Sequence, residues 1–267
     1  MEKAVILARG LGTRMRADDS SAELTSEQSE MAAQGIKALV PIDRPFLDYV
    51  MSGLADAGYR HVCLVIGPEH GVVRDYYGSV ECQRIQIHFA EQEQPRGTAD
   101  AVAAAAEFAA SDPFLVINSD NYYPPESLRA LRELDTPGLS LFDRDSMLSS
   151  SNIDSDRITK FAVASTDADG RLLRVLEKPT EEVIASLPKP VGVSMNCWRF
   201  HADIIEACQS IPPSARGELE LTDAVQYTID RGQVFQSRFF EAGVLDLTSR
   251  ADIETITQKL AGTTVEL

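Results

Sequence analysis

Three short, almost wholly apolar runs punctuate the first half of the chain: AVILA (4–8), HVCLVIG (61–67) and FLVINSD (114–120). Runs this short and this apolar suit strands covered on both faces, and helical stretches between them supply the crossovers of a parallel sheet. FLDYVMSGLADAG reads as an amphipathic helix closed by a glycine, and HGVVRDYYG, TADAVAAAAEFAA and PESLRALRELD as further helices. IQIHFAEQ alternates apolar and polar residues, as a half-covered strand does. This βαβα rhythm continues to about Asp135.

The remainder is more mixed. ITKFAVAST and LLRVLEKP flank DADG and read as a β-hairpin. VGVSMNCWRF reads as a strand, with Trp198 in the core. ADIIEACQSI and LTDAVQYTIDRG read as helices, VFQSRFFEAGVLDL as strand-rich and SRADIETITQKLAG as a closing helix. DRDSMLSSSNIDSD has the composition of a mobile loop, and ADDSSAELTSEQSEMAAQG that of a solvated loop or short helix. With 267 residues, 44% of them hydrophobic, the chain can bury the core of one large domain or of two joined halves.

A formal net charge of −16 argues against nucleic acid and anionic membranes as partners. Positive charge is instead local: Lys3, Arg9, Arg14 and Arg16 fall in one stretch with no acid among them. The four cysteines and four histidines are scattered, so neither a disulfide framework nor a histidine metal cluster is expected. No run has transmembrane length, which fits a cytoplasmic protein, and a homo-oligomer stays open.

LARGLGTR follows the first apolar run. It lacks the lysine of G-x-x-x-x-G-K-[ST], and Met15 stands where a dinucleotide fingerprint needs its third glycine. Gly10, Gly12 and Thr13 could bring backbone N–H groups against phosphate oxygens, or form a plain tight turn. A glutamine in EQEQPRGTADA offers a donor and an acceptor to an amide or imide edge; Gln92 and Gln94 compete for that role. Asp120 stands at the C-terminal tip of a buried strand, where ligands of open α/β sheets bind. Thr98 stands at the start of a helix, where it reads as an N-cap.

LARGLGTR, KALVPI, PRGTADA, NSD, EKP, RGELELTDA and VLDL occur in that order from Val5 to about Ile256. The ordered set resembles the sugar-1-phosphate nucleotidyltransferase family. The resemblance implies a GT-A-like, Rossmann-type α/β fold: a mixed sheet flanked by helices, with a smaller sugar-binding portion. It implies a single domain, residues 1–135 forming the nucleotide half and 136–267 the sugar-phosphate half. The implied activity makes an NDP-sugar and pyrophosphate from an NTP, with a pyrimidine favoured, and a sugar-1-phosphate. Arg14, Lys37 and Lys178 would be catalytic cations, with Arg16 a further candidate. Leu7, Ala8, Gly10, Gly12, Thr13, Gln92, Gly97 and Thr98 would bind the nucleotide. Asn121, Glu177, Lys178, Ser194 and Asn196 would bind the sugar phosphate, and Asp120 and Asp246 would hold Mg²⁺ as cofactor.

Three departures accompany the match. Arg9 replaces the first glycine of L-A-G-G-x-G-T-R, where it could crowd a triphosphate or point outward and add charge. Asn196 replaces a glycine of the sugar-contacting strand, and LTS follows Asp246 where the family has T-G-T. They leave open a catalytically inactive, nucleotide-sugar-binding regulator. A dinucleotide-dependent oxidoreductase is a third reading. The sequence carries no hexapeptide repeats, so no left-handed β-helix is expected.

Overall fold

The computed structural model describes every residue except Asp18, Ser20, Ser21 and Glu23. Part of the acidic stretch 17–35 therefore lies outside the described residues. Its second half forms the helix Ser26–Gln34, closed at its start by a capping box between Thr25 and Gln28.

The strands are β1 (Lys3–Leu7), β2 (His61–Ile66), β3 (Gln86–Glu91), β4 (Phe114–Asn118), β5 (Asn121–Tyr122), β6 (Gly138–Asp143), β7 (Ala162–Thr166), β8 (Leu172–Leu176), β9 (Gly192–Phe200), β10 (Gln236–Phe240) and β11 (Leu245–Asp246). The main sheet runs β10-β6-β9-β4-β1-β2-β3, with the β7–β8 hairpin carried on β9. β4, β1, β2 and β3 are parallel, while β9 lies antiparallel between β4 and β6. The result is a mixed α/β sheet flanked by helices.

Successive residues of β1 feed opposite core layers. Ala4 and Ile6 join Leu64, Ile66, Leu115 and Ile117 beneath the helices Phe46–Asp56 and Ala251–Leu260. Val5 joins Cys63, Val65 and Val116 beneath Thr98–Ala104, Asp203–Ser210 and Leu221–Ile229. Burial on both faces is what makes these strands read as unbroken apolar runs. Trp198 is fully buried and stacks on Phe200 at 5.7 Å. Among the described residues, no helix is long and apolar enough to cross a membrane.

Two local expectations are corrected. TADAVAAAAEFAA forms two helices, Thr98–Ala104 and Ala106–Ala109, because Ala105 N–H bonds Val102 O three residues back and tightens the turn. DRDSMLSSSNIDSD is no loop but mostly two short helices, Arg144–Ser150 and Ser155–Ile158. Asp143 and Asp154, which made it look irregular, are N-caps whose carboxylates accept from Ser146 N and Arg157 N. Met147, Ile153 and Ile158 are buried beneath it.

The same segment is fastened by charge. Arg157 lies between two buried carboxylates, 2.5 Å from Asp246 and 2.6 Å from Asp252. Asn152 bonds Asp252 and both backbone groups of Asp246. Removing one partner of a buried ion pair leaves the others uncompensated. Arg157→Met is therefore expected to destabilise the fold by about 3–5 kcal/mol in urea unfolding; a loss below about 1 kcal/mol would show that the network is not structural.

Candidate functional site

The parallel register aligns the C-terminal ends of β1, β2 and β4, pairing Leu7 with Val65 and with Asn118. The segments that follow these strands, and β3, therefore gather at one edge of the sheet. There they line a cleft of about 380 Å³. Leu7, Ala8, Gly10, Gln92, Gly97, Thr98, Lys37, Asp120 and Asn196 all contribute to its wall, together with Arg9, Leu11, His70, Asn118, Ser119 and Glu218.

Ala8 N–H continues the ladder to Val65 O, after which the chain turns through Arg9–Gly12 into the short helix Thr13–Arg16. Gly12 has φ +61°, and a Cβ there would come within 2.3 Å of Gly35 O. That contact seats the loop against the glycine that caps the helix Ser26–Gln34. Gly10 opens on free space. Thr13 and Arg14 are exposed, and Arg14 has no partner among the described residues. Arg16 instead bonds Gln34 O and braces Gly35.

Arg9 takes neither course expected of it. Its Nε and Nη2 grip Glu69 at 3.0 and 3.1 Å, and Nη1 donates to Gln92 O. The side chain is 6% exposed and crosses Gly67, where a Cβ would meet Nε at 2.3 Å. Its charge is answered by Glu69, whose carboxyl is held below the ordinary range chiefly by this bond. Arg9 thus staples the glycine loop to the ends of β2 and β3.

Gln92 is buried and donates both amide hydrogens within the protein, to Gly97 O at 3.1 Å and Asp100 Oδ2 at 2.8 Å. Two acceptors fix the amide's orientation, leaving Oε1 as the group without a partner. Gly97 has φ +123°, and a Cβ would lie 2.4 Å from Leu219 O. The helix cap is Gly97 rather than Thr98, whose hydroxyl accepts from Leu221 N at 2.9 Å. RGELEL is thereby bound to the cleft wall, with Arg216 on Glu220 at 2.5 Å.

Asp120 Oδ2 accepts from Lys37 Nζ at 2.8 Å. Asn121, 2% exposed, faces away from the cleft: its amide donates to Asp246 Oδ1 at 2.9 Å and accepts from Asn118. Asp246 is 4% exposed, and its Oδ2 accepts from Arg157 and Thr248. Burial first, then the Asp120 charge, pushes the Asp246 carboxyl above its ordinary value, against Arg157, Thr248 and Lys37. Two carboxylates that repel each other, with Asp120 Oδ1 and one lone pair on Asp246 Oδ1 unused, form a hard-oxygen donor set. It fits a divalent cation that completes its shell with water and phosphate.

Glu177, Lys178 and Ser194 lie apart from this cleft wall, on the β7–β8–β9 portion. Ser194 pairs with Ala162, and continuing the β7–β8 register by one residue sets Glu177 on the other side of Ala162. The two side chains therefore share a face across a methyl group. Ser194 Oγ is buried without a partner among the described residues. Lys178 is exposed and has φ +45°, and Asn196 has φ +54°. The left-handed conformation explains Asn196: asparagine is among the few residues that replace glycine there cheaply. Its Oδ1 also accepts from Trp198 Nε1.

The sequence did not disclose Arg157, Asn152, Asp252 or His70 as parts of this edge; none belongs to a recognisable motif.

The model of the family described as nucleotidyl transferase matches residues 3–261, so the chain belongs to that family. A glucose-1-phosphate thymidylyltransferase of Streptomyces antibioticus is 31% identical over 255 residues, 94% of this chain. The chain spans only 64% of that relative's length. UTP–glucose-1-phosphate uridylyltransferase AglF of Haloferax volcanii is 26% identical over 99% of this chain and 98% of its own. Among solved structures, a UDP-glucose pyrophosphorylase complexed with UDP-glucose superposes with a TM-score of 0.75 at 17% identity. It covers 99% of this chain and all of its own, a likeness of fold.

The backbone of Asn196 yields a test. Asn196→Gly should leave stability within about 1 kcal/mol, whereas Asn196→Val should cost about 1–2 kcal/mol or more in chemical unfolding. Equal stability of the two variants would remove the conformational explanation.

Proposed function

We propose that this member of the nucleotidyl transferase family is a sugar-1-phosphate nucleotidyltransferase, joining an NTP and a sugar-1-phosphate into an NDP-sugar and releasing pyrophosphate. The observation that carries the reading is the Lys37–Asp120 pair, set in a cleft between a glycine loop and Gln92. A sugar-phosphate oxygen attacks the α-phosphorus; that P–O bond forms as the α–β bridge breaks, and the electron pair leaves with pyrophosphate. Such a reaction asks the protein for in-line positioning and charge neutralisation rather than covalent chemistry.

Gly10, Gly12 and Thr13 would offer backbone N–H groups to the phosphates, beside Leu7 and Ala8. Arg14, exposed and without a partner among the described residues, is free to close on the leaving pyrophosphate. Lys37 would meet a substrate phosphate. Gln92, Gly97 and Thr98 would border the base. Lys178 would neutralise the sugar's phosphate and Glu177 would accept from its hydroxyls, with Ser194 and Asn196 beside them; Asn121 would act by holding Asp246. Mg²⁺ would be held by Asp120 and Asp246; when bound, it supplies the charge that gathers and polarises the phosphates. In this reading residues 1–135 serve the nucleotide and 136–267 the sugar phosphate, within one domain of a cytoplasmic enzyme.

A pyrimidine nucleotide is supported by the spacing of Gln92, by RGELELTD and by the thymidylyl and uridylyl activities named for two relatives. Pyrophosphate release over a panel of NTPs and sugar-1-phosphates, with Mg²⁺ and with EDTA, tests the reading. Turnover with at least one pair, abolished by EDTA, is expected. Nucleotide binding without turnover of any pair would leave an inactive nucleotide-sugar-binding protein instead.

Two substitutions probe the roles. Asp120→Asn should abolish turnover while the unfolding midpoint stays near wild type; a wild-type rate at ordinary Mg²⁺ would remove Asp120 from the metal site. Arg14→Ala should lower kcat about a hundredfold or more with little change in sugar-phosphate affinity; an unchanged kcat would overturn its role.

A further inference from the structure

The Gln92 side chain presents an acceptor and no donor to the cleft. Gln92 spends both amide hydrogens on Gly97 O and Asp100, so only Oε1 remains for a ligand. A nucleobase edge that gives a hydrogen to Oε1 carries an acceptor beside that N–H, and this acceptor needs a partner. The other side-chain cations of the wall are engaged: Arg9 on Glu69 and Gln92 O, Lys37 on Asp120. Thr98 Oγ1 accepts from Leu221 N–H, and its remaining O–H hydrogen is a rotor rather than a fixed donor.

His70 differs. GPEH forms a tight turn closed by His70 N–H on Gly67 O at 3.0 Å, with Pro68 fixing its second position. The ring folds back over the turn, and Nδ1 accepts from Gly67 N–H at 3.1 Å. A nitrogen that accepts carries no hydrogen, so the neutral ring has its hydrogen on Nε2. Burial, helped by the Arg9 and Arg16 charges and opposed by Glu69, holds the ring below the ordinary histidine range and thus neutral. The ring is 8% exposed and lines the cleft, and Nε2 has no partner among the described residues. Its position is on the right strand: Gln92 N–H bonds Ile66 O, the last residue of β2 before this turn.

We propose that His70 is a base-reading residue: its Nε2–H donates to a nucleobase carbonyl whose neighbouring ring N–H donates to Gln92 Oε1. The two side chains together select the imide edge of uracil or thymine. This deepens the nucleotidyltransferase reading and rests on it for the presence of a nucleotide. Cytosine and adenine present an amino group beside a ring nitrogen, a different placement of donor and acceptor; guanine repeats the carbonyl and N–H on a larger ring.

Asparagine and glutamine separate the two ring nitrogens. In His70→Asn the amide oxygen takes the place of Nδ1, preserving the turn and losing the cleft donor. In His70→Gln the amide nitrogen reaches the place of Nε2. Titration calorimetry of UTP, dTTP, CTP, ATP and GTP against wild type and both variants reads the outcome, alongside turnover of the same proteins. H70N should bind UTP and dTTP about tenfold more weakly, with CTP and ATP little changed and the melting temperature near wild type. H70Q should recover part of the loss. The proposal is overturned if H70N binds UTP and dTTP as wild type does, or weakens all five alike, or if CTP, ATP or GTP is the tightest wild-type ligand. It also falls if wild type binds none of them. His70-dependent UTP or dTTP binding without pyrophosphate release would sink the transferase reading and leave this one standing; turnover indifferent to H70N would do the reverse.

Discussion

Two carboxylates are set side by side by a pairing only two residues long, β5 with β11, and most of the site's charge arrangement answers their repulsion. Asp246 stands opposite Asn121, and Leu247 N–H bonds Asp120 O. Burial and the Asp120 charge both disfavour ionised Asp246. Arg157 and Thr248 counter on one side, Asn121 on another, and Lys37 from across the cleft. Burial works against the Arg157 charge too, but Asp246 and Asp252 outweigh it and raise its basicity. The helix Ser155–Ile158, the closing helix that begins with Asp252 in its first turn, and the β4–β5 corner are thereby joined through one network. If Lys37 turns to a phosphate, the two carboxylates lose a shared counter-charge at the moment more anion arrives. That conflict disappears when a divalent cation accompanies the triphosphate, which is why the donor set and the lysine belong to one argument.

How far the sequence discloses this depends on the range of the interaction. β1, β2 and β4 were legible because burial on both faces leaves an unbroken apolar signal. β6, GLSLFD, was missed: it is short, begins with glycine, and becomes a strand by lying between β9 and β10. Segment 143–158 misled because serine, asparagine and aspartate suit loops and helix caps equally, and only burial of Met147 and Ile158 separates the two. The glycine loop, Lys37, Gln92, Asp120 and Asn196 were legible as cleft residues because each sits in a short motif. Arg157 reaches partners 89 and 95 positions away and carries no motif at all.

Two of the three departures from the family pattern, Asn196 and Arg9, have different physical reasons. Asn196 keeps the backbone that glycine had, at small cost, and uses its side chain to satisfy the indole of a buried tryptophan. Arg9 changes the side chain instead and requires compensation elsewhere: Glu69 supplies the counter-charge, and Gly67 supplies the room. Neither arrangement removes a group that the proposed reaction needs, because Gly10, the loop position proposed to face the phosphates, stays open.

The cleft is consequently uneven in rigidity. At the Gln92 end three polar side chains have their orientation set by internal bonds: Gln92 through Gly97 and Asp100, Arg9 through Glu69, His70 through Gly67. Outside the cleft wall, Arg14 and Lys178, the cations proposed to meet phosphates, are exposed and make no side-chain hydrogen bond among the described residues. Fixed donors and acceptors lose little entropy on binding and penalise a mismatched edge, so they suit discrimination between bases. Long unpaired cations must lose rotamer freedom to act, and that cost is recovered only against concentrated negative charge. A triphosphate provides such charge, and the transition state for its cleavage moves still more of it onto the leaving group. On the proposed reading, base selection by the fixed groups and charge-triggered closure by the exposed cations would both follow from where this chain places its internal hydrogen bonds.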